Sequence, residues 1–155
     1  MKKWLAVISV GVLLVGCGTK THIVEPYVFD KNLKLDLELK KEDGVNIPDE
    51  ILATMKQQIR DGLAKNNLLA SSTTNANHAE VTIFAYRMRP NAARLLAGAM
   101  AGCDNINSQV VVKDTSNQKI IGHSTVQMRV CNAWGVSSQV ISSFSEGVVN
   151  YLSGK

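Results

Sequence analysis

Residues 106–113 and 119–130 read as two strands joined across Thr115-Ser116-Asn117-Gln118, and their pairing constrains the fold more than any other stretch. Centring the hairpin on Asn117 sets Ile106 against Met128, Ser108 against Val126 and Val112 against Gly122. On the other face Asn105 meets Arg129, Asn107 meets Gln127, Gln109 meets Thr125, and Val111 meets His123. One face is mainly apolar and the other mainly polar, as an antiparallel sheet covered on one side requires. The same register sets Cys103 opposite Cys131, and directly opposed positions have the close Cβ spacing a disulfide needs.

The rest of the chain supplies the layers for such a sheet. Leu33, Leu35, Leu37 and Leu39 alternate with Lys34, Asp36, Glu38 and Lys40, a half-buried strand that ends at Glu42-Asp43-Gly44. Pro48-Asp49-Glu50 opens a helix with acids where its dipole favours them, and Leu52, Met55, Ile59 and Leu63 give residues 49–65 one apolar face. Val81, Ile83 and Ala85 alternate in a strand ending near Met88, and simple alternation puts Arg87 on their face. Val136, Val140, Ile141, Phe144, Val148, Tyr151 and Leu152 form the stripe of a C-terminal helix over 136–152. The expected fold is α+β: a two-layer sandwich of about four mainly antiparallel strands with two main helices on one face.

The N-terminus has a different character. Lys2 and Lys3 precede an apolar run from Trp4 to Val15, and Leu14-Val15-Gly16-Cys17 closes it. The run is shorter than the roughly 20 apolar residues of a spanning helix. Basic, apolar and small-residue regions in this order form an export signal. The four closing residues resemble the lipobox of bacterial lipoproteins. That resemblance implies cleavage before Cys17, a diacylglycerol thioether on its sulfur and acylation of the new amine. It divides the chain into a signal peptide (1–16), a lipidated N-terminus and tether (17–31) and a single α+β domain (32–155). Gly18 after the cysteine resembles the default sorting signal for the outer membrane, with the domain facing the periplasm. The bilayer, held through the acyl chains of Cys17, is then the first partner.

With Cys17 assigned to lipid, Cys103 and Cys131 remain as an even pair in a compartment that permits disulfides. The alternatives are a metal site or a catalytic thiol, but no second Cys or His lies at ligand spacing from either. A structural disulfide is expected, and no metal or cofactor. Of the 17 Lys and Arg, Lys2 and Lys3 leave with the signal, so 15 face 13 Asp and Glu. Such a balance gives no reason to expect a nucleic-acid partner.

Two segments stand out for binding. Arg87, Arg89 and Arg94 lie within eight positions, where they either grip an anion through forked hydrogen bonds or pair with nearby acids at a strand end. Residues 92–102 are nearly all small or apolar, with Gly98 and Gly102 four apart. Such spacing lets two backbones approach closely, either inside the domain or between subunits. His22, His78 and His123 are scattered, with no His-Glu-x-x-His pair, Gly-x-Ser-x-Gly elbow or phosphate loop, so no enzyme is expected.

Arg94 to Gly102, followed by a hairpin over 105–131 and a helix over 136–152, resembles a group of small uncharacterised lipoproteins of Gram-negative bacteria. Related two-layer lipoproteins include ring-forming accessories of export systems. The expected function is a membrane-anchored, non-catalytic binding or assembly component of the cell envelope, acting on an envelope protein partner or on copies of itself. Two alternatives stand beside it: a small envelope hydrolase or inhibitor module using the polar face around His123 and Arg129, and a self-assembling ring-type accessory of an export system.

Overall fold

The structure, a computed structural model, describes residues 18–27, 34–71, 76–90, 92–93, 102–131 and 137–155. Five strands and two main helices follow in the order β1 (Gly18–Glu25), β2 (Lys34–Lys41), α1 (Asp49–Lys65), β3 (Ala76–Arg87), β4 (Asp104–Lys113), β5 (Ile120–Val130) and α2 (Ser137–Leu152). They form one α+β unit whose sheet runs β1-β5-β4-β3-β2.

The sheet is mainly antiparallel, as expected, and the structure adds two details. It has five strands rather than four, because Gly18–Glu25, expected to be tether, pairs antiparallel with β5. The segment lacks a clean apolar period, since its core-facing positions Thr19 and Thr21 are polar. Thr19 is nonetheless held against the helix layer, where its hydroxyl donates to the Ser143 carbonyl of α2 at 3.1 Å. The sheet is also mixed, since β2 and β3 run parallel. The 17-residue helix α1 lies between them and returns the chain to the starting end of the sheet, which is the crossover a parallel pair requires.

The register of β4 and β5 is the one expected from Asn105–Arg129 to Val112–Gly122, with a shift only at Lys113, which pairs with Ile120. One pair beyond Asp104–Val130, Cys103 and Cys131 form a disulfide across a sequence separation of 28. Closing a loop of that size stabilises by about 3–4 kcal/mol in the entropic model.

The apolar face of the sheet and both helices share one core. Leu35, Leu37, Val81, Ile83, Ile106, Val110, Val112 and Val126 meet Met55, Ile59 and Leu63 of α1 and Val140, Phe144, Val148 and Leu152 of α2. The helices touch each other as well, and α2 also approaches β1: a Cβ on Gly147 would lie 2.5 Å from the Thr19 methyl. Only a residue without a side chain lets the helix come this near. The opposite face of the sheet carries Lys34, Asp36, Glu38, Lys40, His78, Glu80, Asn105, Asn107, Gln109 and Gln127, and no described helix lies on it. Among the described residues, no helix is long and apolar enough to cross a membrane.

Candidate functional site: a two-arginine hollow on the open sheet face

Local backbone geometry separates Arg87 from Arg89. Between Ile83 and Ala85 the β3–β4 register slips by one residue, so Ile83 pairs with Ser108 and Ala85 with Asn107. The extra residue, Phe84, reverses the facing of the last residues of β3. Tyr86 therefore faces the core opposite Ile106, while Arg87 faces the open side opposite Asn105. Arg87 thus does not share the face of Val81 and Ile83, as simple alternation predicts.

Arg89 goes the other way. Its guanidinium is 2% exposed and meets a fully buried Asp104, with Nη2 3.1 Å from Oδ2 and Nε 3.2 Å from Oδ1. The Arg89 backbone N–H donates to the same Oδ1 at 2.7 Å. This arginine is one half of a buried forked ion pair that pins residues 88–90 to the start of β4, so it is not an anion-binding group facing solvent. Arg94 and Gly98 lie outside the described residues, as does Cys17.

On the open face, Arg87, Asn105 and Arg129 form one row across β3, β4 and β5. With strands spaced about 4.8 Å apart, the two arginines stand about 10 Å apart at their Cα atoms with Asn105 between them. They line a hollow of about 410 Å³ together with Gly102, Cys103, Asn107 and Gln127. Gly102 has a left-handed φ of 85°, and a Cβ there would lie 3.0 Å from Nη2 of Arg87, so glycine both makes the turn and leaves room for the guanidinium. The neighbouring disulfide holds one wall. Asn105 Oδ1 is buried with no hydrogen-bond partner. Chemically this is a polar recess with a guanidinium on each side, the kind of group that suits oxyanions, and one acceptor without a hydrogen bond.

A second polar cluster sits at the far side of the same face. His78 lies 3.5 Å from Asp36 and 3.2 Å from Glu38, while Glu80 pairs with Lys40 at 3.1 Å and Lys113 at 3.8 Å. Burial raises the Glu80 pKa, but the hydrogen bond and charge of Lys40 and the charge of Lys113 outweigh it and hold the carboxyl below its usual value. Glu38, His78 and Glu80 bring one ligand atom each within 4.8 Å of one another. Two lysines already neutralise Glu80, so the arrangement is an ion-pair network across β2, β3 and β4.

His123 is held by Gln109, whose amide lies 2.7 Å from its Nε2. It is six residues along β5 from Arg129, roughly 20 Å away on the same polar face. The hollow joins Arg87, Gly102 and Cys103, singled out in sequence, with Asn105, Asn107, Gln127 and Arg129. The hairpin register already placed those four on one polar face. What it lacked was the neighbouring strand, and the bulge that turns Arg87 towards them.

The fold is similar to that of a PelC dodecamer subunit from Paraburkholderia phytofirmans. One crystal form matches with a TM-score of 0.59 at 10% identity, covering 88% of this chain and 99% of that one. A second form matches at 0.51, again with 10% identity, covering 87% and 95%. A DUF330-family protein from Xanthomonas campestris, 8% identical, matches at 0.49 over 79% of this chain and 80% of that one. No curated protein matches the sequence. The family model described as a domain of unknown function, DUF4410, spans residues 23–131, which include β2 to β5 and the whole hollow. The chain belongs to the DUF4410 family.

Proposed function

We propose that the protein is a lipoprotein, held by acylated Cys17 to the periplasmic side of the outer membrane, and that it works without catalysis as a binding and assembly component of the cell envelope. The observation that carries this reading is where the first strand begins. β1 starts at Gly18, one residue after the lipobox cysteine, so an acyl anchor on Cys17 would be joined to the sheet edge without a linker. A domain held this closely is restricted in its orientation on the membrane, which suits a stationary assembly part.

Self-association is the favoured mode. β1 is the terminal strand of the sheet, with Ile23 54% and Val24 57% exposed, a combination that invites pairing with another chain. The other edge is better covered: Leu35 of β2 bonds through its backbone to Leu68 and Ala70. The similar PelC fold occurs in a dodecamer, which supports a ring-type assembly for this chain.

Light scattering of the acylated protein in a mild maltoside detergent tests the assembly. The expected result is one discrete multiple of the protomer mass, which Val24→Lys converts to monomer without unfolding it. A monomer at every concentration contradicts self-assembly and leaves binding to a different envelope protein.

A further inference from the structure

We infer that the hollow between Arg87 and Arg129 is a phospholipid headgroup site. It would take the phosphodiester of an anionic lipid that also carries hydroxyls, the chemistry of phosphatidylglycerol. Its placement beside the membrane rests on the lipid-anchor reading above.

The row that holds the two arginines continues one strand further. Arg87 pairs with Asn105, Asn105 with Arg129, and Arg129 with Gly18, each on the next strand. Gly18, the residue that follows Cys17 in the chain, lies about one strand spacing, roughly 5 Å, from Arg129. Lys20, exposed and paired with Gln127, adds a third cation beside the hollow. The acids Asp36, Glu38 and Glu80 lie on the other side of the face, across β2 and β3. Arg87, Arg129 and Lys20 therefore cluster at the corner of the face beside Gly18, while Glu42, bonded to Ile83 at the same end, lies on the β2 side; an anchored domain would press that corner against headgroups.

The chemistry of the hollow narrows the class. Two guanidinium groups on either side of a recess match the unesterified oxygens of a phosphodiester. Asn105 Oδ1, buried and without a partner, calls for a donor, which the oxygens of a phosphodiester do not supply. The glycerol hydroxyls of phosphatidylglycerol do. The amides of Asn107 and Gln127 line the same recess and extend the polar surface around such a headgroup.

The test uses the acylated full-length product in a neutral maltoside detergent, titrated with dihexanoyl-phosphatidylglycerol and followed by phosphorus NMR linewidth. Parallel titrations use dihexanoyl-phosphatidylcholine and inorganic phosphate. Saturable binding of the glycerol lipid is expected, weakened about fivefold by Arg87→Gln and again by Arg129→Gln, as for cations at an anionic membrane surface. Lys119→Gln, at the exposed hairpin turn, removes a charge elsewhere and should leave binding unchanged. Absence of saturation, or undiminished binding by both arginine variants, overturns the site. Inorganic phosphate binding as tightly as the lipid makes it a free-phosphate site and overturns the headgroup assignment. The mass of the N-terminal peptide from the same preparation reports separately on the anchor. Lipid binding with an unmodified Cys17 would fail the anchor reading and leave the headgroup site standing.

Discussion

Two arginines of one short segment, Arg87 and Arg89, have different fates, and the reason is local backbone geometry. Arg87 reaches the open face because one extra residue at Phe84 reverses the alternation of β3. Arg89, two positions on, is buried against Asp104. Taking this pair out of water is costly, so removing one partner leaves an uncompensated buried charge. Arg89→Ala should therefore destabilise the domain by about 3–5 kcal/mol. Replacing both with apolar residues of similar volume should cost much less, because neither charge is then stranded. Urea unfolding checks this, and a loss under about 1 kcal/mol for Arg89→Ala, the range of an exposed pair, would contradict the buried pair. Sequence alone offered both readings of these arginines, anion grip and ion pair. A single-residue bulge carries no period of its own, so the choice between them was not legible there.

Elements differ in how clearly the sequence specifies them. The β4–β5 pairing was legible from the sequence, since a one-residue slip would set the apolar face of one strand beside the polar face of the other, and the turn and the opposed cysteines select among the rest. α1 was legible from its proline start and its stripe of Met55, Ile59 and Leu63. β1 was not, because it is stabilised by a partner strand and by α2 rather than by its own apolar pattern. One of its ties to α2 is the Tyr151 hydroxyl, which donates to the Glu25 carbonyl at 2.9 Å. Burial first, then the charges of Glu25 and Tyr27, pushes the Tyr151 pKa from 10.0 up to about 12. A raised acid pKa means that the folded state holds its proton more tightly. The stabilisation is complete below pH 10 and is lost as pH rises to about 12. Two full units correspond to about 2.7 kcal/mol, and solvent screening makes the effect smaller. Tyr151→Phe should flatten the fall of the urea midpoint between pH 10 and 12. An identical alkaline slope in both proteins would contradict the docking of β1 through this hydroxyl.

At the scale of the whole molecule, helices cover one face of a five-stranded sheet and leave the other face electrically divided. The corner beside the start of β1 carries Arg87, Arg129 and Lys20, and the far side carries the Asp36, Glu38, His78 and Glu80 network. The two-layer α+β class was legible from strand and helix periods, whereas the fifth strand and the parallel pair depend on contacts between distant segments. The proposed function joins that division to the N-terminus, because β1 starts immediately after Cys17 and runs beside the cationic corner. That proposal requires the sheet edge to be attached to the membrane at Cys17. Mass spectrometry of tryptic peptides from membrane-purified protein tests it most directly. The expected product is an N-terminal peptide of residues 17–20 carrying three acyl chains on Cys17. A peptide running from Trp4 to Lys20 with a free Cys17 thiol would contradict attachment there.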